Sequence, residues 1–577
     1  MKKYFSLFLG AIMLLQSFNL GAQSAAPSTK WFEDAKYGLF LHFGLYSIAA
    51  GQWDGKNYYG ITEWLQKRAK MPIAEYEKFA AQFNPSGFNA EKWVQFAKDN
   101  GFKYIVITAK HHDGFAMFGS KVSKFNIVDA TPFKRDLLKE LATACKKLDM
   151  KLGFYYSQSQ DWHEADAIGN DWDFPGYKRN FQKYLDEKCK PQLKELLTNY
   201  GDVAILWFDT PQEITKEESQ QLVDWVHQFQ PNCLTSSRVG NGLGDYQALQ
   251  DHNLPTQIIN RPFEALFTHN DSWGYSKLDK NFRSPKEILT TLLASNTMGG
   301  NLILNIGPKS EGVFQEETIT DFNVVGKWLK RNNEAVYGSK ASPFANMQWG
   351  YITTKPGTIY LHILKWPKHG ELRLPDAKVK FSKVNFLVTG TAVPFSSPQG
   401  ELILKLPVKA PDELCTVIKI NYSETLDPGD AIPVGNGYTT TLIAEQATVQ
   451  GLVKIVKDRW MEEFGDWHYA NFVTDWKSQT DKAEWKLQVA APGKYHVMLN
   501  YHYPSKNKVS EGVLTLDGVD AIYFQSLTTG DNVKNCFEHS IGVIDIKKAG
   551  TVMLGVFPSS VPESFIKLWT IKLVPYE

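Results

Sequence analysis

Cysteine is scarce in this sequence, and its net charge is close to zero. The cysteines are odd in number and scattered along the chain: Cys145, Cys189, Cys233, Cys415 and Cys536. This excludes a disulfide framework and a paired-cysteine metal site. The net charge of +1 argues against nucleic acid as the main partner, because phosphate neutralisation requires a clustered basic surface.

A long apolar run occurs only at the N-terminus, where it has the features of a secretory signal peptide. Lys2 and Lys3 precede the apolar residues 5–15, and small residues lead up to Gln23. This order predicts a signal peptide over residues 1–22 and no transmembrane segment after its removal. We therefore expect a secreted or periplasmic protein.

What the sequence does have is a series of apolar runs that end on polar side chains. Such runs lead to His42, to His111 and His112, to Tyr155, to Asp209, to Arg238 and to Asn305. Segments with helical periodicity alternate with them: residues 90–100, 134–148, 177–199, 216–229, 285–298 and 318–333. The alternation predicts a (β/α)8-like TIM barrel over residues 30–338, in which the carboxyl ends of the strands meet at one site.

An open, doubly wound sheet is the alternative reading of the same alternation. The sequence lacks the phosphate-binding loop that this fold requires, because the nearest Gly-rich stretch, residues 240–244, does not have the GxGxxG spacing.

Asp209 is the most informative of these polar residues. A buried parallel strand has no use for an acid in its middle, but the carboxyl end of a barrel strand is where catalytic groups are found. A cap of the following helix is the alternative role for this Asp.

The rest of the chain has a different pattern of apolar residues. At 577 residues the chain is too long for one core. After residue 338, short alternating runs predict a β-sandwich over residues 339–425 and, after a turn-rich linker, a second one over residues 437–577. The 17 Trp, 25 Tyr and 35 Phe suit either binding of sugar rings or a Trp-rich core.

Ordered motifs in the barrel region resemble the α-L-fucosidases of glycoside hydrolase family 29. The resemblance covers residues 31–339 and rests on Gly38-Leu-Phe-Leu-His42-Phe-Gly44, Thr62-Glu63-Trp64, Lys110-His111-His112-Asp113-Gly114-Phe115, Leu206-Trp207-Phe208-Asp209 and Asp271-Ser272-Trp273-Gly274-Tyr275. It implies a retaining α-L-fucosidase that acts on fucosylated oligosaccharides or glycoconjugates through a covalent intermediate, without a cofactor.

The resemblance also implies roles for individual residues. Asp209 corresponds to the nucleophile, and the substrate-binding positions correspond to His42, Glu63, Trp64, His111, His112, Tyr155, Trp207 and Arg238. Many relatives carry a Glu, which is the acid/base in some of them, at the position where this sequence has Gln250, and an amide cannot supply a proton. We predict Glu264, at the other family position, as the acid/base, with Asp251 as the runner-up.

Two other functions compete with this prediction. A catalytic metal held by His42, His111, His112 and Asp209 lacks the HxH or HExxH spacing of such sites. A carbohydrate-binding protein on a catalytically impaired barrel is suggested by Gln250.

The last domain weakly resembles carbohydrate-binding sandwiches. The resemblance implies that Glu445 is a ligand of structural calcium. Trp460, Trp467 and Trp476 would form either a sugar platform or part of the core.

Overall fold

The computed structural model describes residues 26–344, 347–434, 437–504, 509–532, 534–560 and 564–576. The predicted signal peptide, residues 1–22, lies outside these ranges. Within them, no helix is both long enough and apolar enough to cross a bilayer.

Eight parallel strands form the sheet of the N-terminal part: β1 (Tyr37–Leu41), β2 (Tyr104–Lys110), β3 (Lys151–Tyr156), β4 (Ile205–Phe208), β5 (Leu234–Thr235), β6 (Gln247–Asp251), β7 (Phe263–Thr268) and β8 (Asn301–Ile306). Their order is β5-β4-β3-β2-β1-β8-β7-β6. A parallel bridge between Ser236, directly after β5, and Tyr246, directly before β6, joins the two ends of this order. The predicted (β/α)8-like barrel is confirmed.

The barrel strands are apolar because both of their faces are covered. Every residue of β1, β2, β4, β7 and β8 is buried, as expected for parallel strands that have packed side chains inside and helices outside. Polar side chains are therefore accommodated mainly where the strands end.

Helices accompany the barrel strands, and the first of the following lies at the amino ends of the strands: Lys30–Ala35, Tyr46–Ala49, Leu65–Ala69, Ile73–Tyr76, Ala90–Asp99, Leu137–Lys147, Phe181–Tyr184, Lys190–Asn199, Lys216–Phe229, Pro285–Thr297 and Glu316–Val336. Sequence periodicity predicted the longer ones to within a few residues, but residues 177–199 are interrupted by a π-helical turn, Leu185–Cys189. Thr215 with Glu218, and Ser284 with Glu287, form capping boxes that fix where two of these helices begin.

Two groups of sheets follow the barrel, and their strand pairs are antiparallel except for Ile432–Val434, which pairs in parallel with Lys482–Val489. The first has the strands Gly350–Lys355, Thr358–Ile363, Glu371–Leu374, Lys380–Phe386, Phe395–Ser396, Leu402–Lys405 and Thr416–Ser423. The second has the strands Ile432–Val434, Thr440–Ile443, Thr448–Gln450, Lys454–Met461, Trp467–Thr474, Lys482–Val489, Gly493–His502, Glu511–Leu516, Val519–Gln525, Phe537–Ile546, Gly550–Pro558 and Lys567–Pro575. Each group encloses its own apolar core.

Candidate active site

A cavity of about 730 Å³ opens at the carboxyl ends of the barrel strands, where enzymes of this fold carry their catalytic groups. Cavities of about 300–1,000 Å³ hold drug-sized ligands, so this one has room for more than a single sugar ring. The cavity wall includes nine of the residues that the sequence predicted for the site: His42, Glu63, Trp64, His111, Tyr155, Trp207, Asp209, Arg238 and Asp251.

Asp209 directly follows β4 and is hydrogen-bonded through both carboxylate oxygens. Oδ1 accepts a hydrogen bond from Nη1 of Arg238 at 2.9 Å, and Oδ2 accepts one from the Tyr155 hydroxyl at 2.9 Å. Asp209 does not cap the next helix, because Thr215 does so. The alternative reading of Asp209 as a helix cap is therefore wrong.

The environment of Asp209 favours its ionised form. Burial by itself raises the pKa of this carboxyl, but Arg238, His112 and the hydrogen bonds from Arg238 and Tyr155 outweigh burial and hold the pKa below its ordinary value. Asp209 thus presents a negative charge to the cavity at neutral pH.

Arg238 joins Asp209 to a second cavity carboxylate, Asp251. Nη2 of Arg238 donates to Oδ1 of Asp251 at 2.5 Å and to the backbone oxygen of Leu249 at 2.6 Å. Asp251 is the last residue of β6, and the pairing of β6 with β7 shifts register between Ala248 and Asp251. This irregularity lets consecutive residues of β6 reach the cavity, where a regular strand would present alternate ones.

The cavity histidines are buried and uncharged. Burial is the main cause that lowers the pKa of His42 to about 4, and it lowers that of His111 well below its ordinary value. Nδ1 of His42 lies 2.7 Å from Oδ1 of Asn305. Nδ1 of His111 is buried and has no hydrogen-bond partner among the described residues. Neutral imidazoles of this kind can exchange hydrogen bonds with sugar hydroxyls.

His112 lies next to Asp209. Its Nε2 is 3.7 Å from Oδ2 of Asp209, and its Nδ1 is 2.6 Å from the Ser157 hydroxyl. Its predicted role in substrate binding stays a prediction. Adjacent residues leave a strand end in different directions, so His111 reaches the cavity and His112 supports the carboxylate.

Glu63 and a group of aromatic rings complete the barrel side of the cavity. Glu63 accepts a hydrogen bond from the Gly274 N–H at 2.9 Å, and burial raises its pKa to about 7. Tyr155 and Trp207 stack with ring centroids 5.7 Å apart. Trp273, which was not among the predicted substrate-binding residues, also lines the cavity.

Glu264 lies outside the cavity, and its predicted position at the reaction site needs correction. Its carboxylate is fully buried and accepts hydrogen bonds from the Tyr104 hydroxyl at 2.5 Å and from the Trp207 indole at 2.8 Å. Tyr104 begins β2 and contacts Phe32, on the helix at the amino ends of the strands, with centroids 5.8 Å apart.

The register explains this position of Glu264. It is the second residue of β7, which runs on to Thr268, so about 13 Å of strand separate it from the carboxyl end of β7. Burial raises the pKa of Glu264 to about 7, but this carboxyl supports Trp207 from below and does not face the cavity. Among the described residues, the wall carboxyls are Glu63, Asp209 and Asp251.

The last domain contributes cavity residues that the sequence analysis did not assign to the site: Arg459, Phe464, Trp467 and Tyr469. Trp467 was predicted as part of a separate sugar platform, whereas Trp476 is buried in the core of the last domain. No local pattern indicates that this domain reaches the barrel mouth.

No group of three or more His, Cys, Asp or Glu side chains suited to a metal ion occurs in the described part of the chain. Glu445 accepts a hydrogen bond from Asn471. The calcium site in the last domain stays a prediction.

Comparison with known proteins shows that this chain is similar to α-L-fucosidases. The α-L-fucosidase family profile matches residues 17–334. Tissue α-L-fucosidase of Mus musculus is 30% identical over 429 residues, which cover 69% of this chain and 91% of that protein.

Two solved structures are also similar. The crystal structure of α-L-fucosidase from Vibrio sp. strain EJY3 has a TM-score of 0.77 and 28% identity and covers 95% of this chain and 98% of its own. A GH29 α-L-fucosidase from Bacteroides thetaiotaomicron, trapped as a covalent intermediate with 2-fluoro-fucosyl fluoride, has a TM-score of 0.63 and 30% identity and covers 70% and 99%. The chain therefore belongs to the α-L-fucosidase family, glycoside hydrolase family 29.

Proposed function

We propose that this protein removes terminal α-linked L-fucose from glycans with retention of configuration, with Asp209 as the nucleophile and Asp251 as the acid/base. The observation that carries the proposal is that these two carboxylates share the Arg238 guanidinium within one cavity. Retaining glycosidases need two carboxyls on opposite sides of the bond that is cleaved.

Each carboxyl has a distinct task in this mechanism. Asp209, whose pKa is held below its ordinary value, attacks the anomeric carbon and forms a glycosyl ester. Asp251 donates a proton to the leaving oxygen and then removes one from the water that hydrolyses the ester. Tyr155, which donates to Asp209, fixes the orientation of the nucleophile. The covalent intermediate trapped on the Bacteroides relative supports this two-step route.

Asp251 replaces Glu264 as the proposed acid/base. It also removes the reason to regard the barrel as inactive, which was the presence of Gln250 at a family acid/base position. Gln250 cannot act as an acid, but its neighbour Asp251 brings a carboxylate to the same part of the wall. A carbohydrate-binding protein on an impaired barrel would have no need for this second carboxylate.

The test is the configuration of azide adducts formed by single variants. An α-L-fucoside with a good leaving group is incubated with azide and with the Asp209→Gly, Asp251→Gly or Glu264→Gln variant. We expect Asp209→Gly to give β-L-fucosyl azide, because azide then replaces the nucleophile. We expect Asp251→Gly to give the α-azide, because azide then attacks the ester.

Glu264→Gln is the matched control in this experiment. It should form no azide adduct and keep most of its turnover, because the Gln oxygen still accepts the Trp207 hydrogen bond. An α-azide from Glu264→Gln, together with normal turnover by Asp251→Gly, would overturn the assignment. NMR of the first sugar released by the wild-type protein tests retention directly.

We also propose that the protein is exported before it acts, because residues 1–22 have the order of a signal peptide. N-terminal sequencing of the protein recovered from its native host should begin near Gln23. An N-terminus at Met1 in active protein would contradict export by cleavage.

A further inference from the structure

One β-hairpin of the last domain forms part of the cavity wall. Its strands are Lys454–Met461 and Trp467–Thr474, and we call residues 454–474 the rim hairpin. Arg459, Trp467 and Tyr469 of this hairpin line the same cavity as Asp209 and Asp251. The catalytic cavity is therefore built by two domains that lie far apart in sequence.

The pairing of the rim hairpin explains why these three side chains act together. Arg459 is directly opposite Tyr469, and Met461 is directly opposite Trp467. Opposite residues share a face and alternate residues along a strand share it too, so Arg459, Trp467 and Tyr469 project from one face. Trp460, one residue further along, projects from the other face and stacks on His468, with centroids 5.7 Å apart.

The rim hairpin is held against the barrel at its tip. The Phe464 backbone oxygen accepts a hydrogen bond from the Ile61 N–H at 3.0 Å, and the Phe464 ring lies 5.7 Å from the ring of Trp64. The Arg68 guanidinium carbon lies 4.8 Å from the centre of the Phe464 ring. Gly465 has a φ of 94°, and a Cβ there would lie 2.4 Å from Ile61. This close packing fixes the hairpin relative to the nucleophile.

The exposed face of the rim hairpin has the chemistry of a sugar-binding surface. The Arg459 guanidinium carbon lies 3.5 Å from the centre of the Trp467 ring, and Arg459 makes no ion pair with any residue that the structure describes. Aromatic rings pack on the apolar C–H faces of sugars, and an arginine without a carboxylate partner keeps its N–H donors for hydroxyl or carbonyl oxygens.

The position of this surface indicates which part of a substrate it meets. His42 and His111, which are predicted to bind fucose, are buried at the ends of the barrel strands. On the rim hairpin, Arg459 is exposed and Trp467 and Tyr469 are half-buried. Under the proposed function the buried residues hold the terminal fucose, so the leaving group extends towards solvent, where the rim hairpin meets it.

We propose that Arg459, Trp467 and Tyr469 form the binding site for the leaving group, and that they select a saccharide there. This inference rests on the proposed fucosidase function and adds the source of its specificity. The last domain then acts as part of the catalytic site and not as a separate glycan-binding module.

The test compares a substrate that has a saccharide leaving group with one that has none. We would measure kcat/KM for a fucosylated trisaccharide and for α-L-fucosyl fluoride with wild-type protein and with the variants Trp467→Ala and Arg459→Met. We expect each variant to lose about tenfold in kcat/KM on the trisaccharide. Both should keep the wild-type value on the fluoride, because fluoride makes no contact with the hairpin.

Trp460→Ala is the matched control, since it removes the same side chain from the opposite face of the same strand pair. It should leave the ratio of the two kcat/KM values unchanged. Equal losses on both substrates, or no loss on either, would overturn the inference. Failure of the wild-type protein to hydrolyse the fluoride would instead overturn the proposed function, so the two failures are distinguishable.

Discussion

Arg238 is the residue whose replacement tests the geometry of the site most directly. Its guanidinium donates to Asp209 at 2.9 Å and to Asp251 at 2.5 Å. Arg238→Met removes one positive charge from the site, together with both charge-assisted bonds. Each such bond is worth about 1.5–3 kcal/mol, so the loss of the one that positions Asp209 should lower kcat/KM by about 10–150-fold.

The pH dependence provides a second readout with a definite sign. The pKa of Asp209 lies below its ordinary value, so its ionised form contributes stability above the unfolded-state pKa, and this contribution is lost as pH falls through the folded-state pKa. Without Arg238, burial, which raises the pKa of Asp209, is opposed by fewer favourable contacts. The acid limb of kcat/KM and the onset of acid unfolding should both move to higher pH.

The assay is kcat/KM of an aryl α-L-fucoside across the pH range, with urea unfolding at the same pH values. Arg238→Lys should recover part of the loss, because a lysine keeps the charge but cannot bridge two carboxylates. Arg283→Met is the control for loss of a partly buried arginine, since Arg283 donates to the Thr268 backbone oxygen and is not part of the cavity wall. An unmoved acid limb with kcat/KM near the wild-type value would refute the role of Arg238.

Three further predictions concern other parts of the site. Burial raises the pKa of Glu63 to about 7, so the wild-type protein loses stability as pH rises from about 4.5 through about 7. Above that range, Glu63→Gln should be more stable to urea unfolding by up to about 3 kcal/mol, while it loses activity. Equal stability of the two proteins at all pH values would contradict this. Gly465→Ala should lower the melting temperature and the activity on oligosaccharides, because its Cβ would lie 2.4 Å from Ile61. Gly518 also has a positive φ, but a Cβ there would have no atom within 4 Å. Gly518→Ala should therefore lower the melting temperature less, through backbone strain alone. Prolonged chelation should leave the hydrolysis of fucosyl fluoride unchanged, and a loss restored by one metal ion would refute metal-independent catalysis.

Several features of the fold could be predicted because they depend on local patterns. The helix Lys216–Phe229 begins and ends where the periodicity placed it, and Thr215 with Glu218 provides a capping signal in the sequence. By contrast, β6 was not predicted, because Gln247-Ala-Leu-Gln-Asp251 is short and half polar. Without β6, the sequence did not show that Asp251 lies at the carboxyl end of a barrel strand, as Asp209 does. That position is the best reason to favour Asp251 as the acid/base.

The sequence by itself determined the barrel, the family and the position of Asp209, because apolar periodicity and ordered motifs are local properties of the chain. The tertiary structure decided which carboxylates face the cavity. Glu264 and Asp251 are both acids in barrel strands, but Glu264 lies near the amino end of its strand and Asp251 at the carboxyl end, where the cavity opens. Only the strand boundaries in the folded barrel distinguish these two positions. The tertiary structure also decided that the rim hairpin completes the cavity, because contacts between domains depend on surface complementarity that no local pattern records.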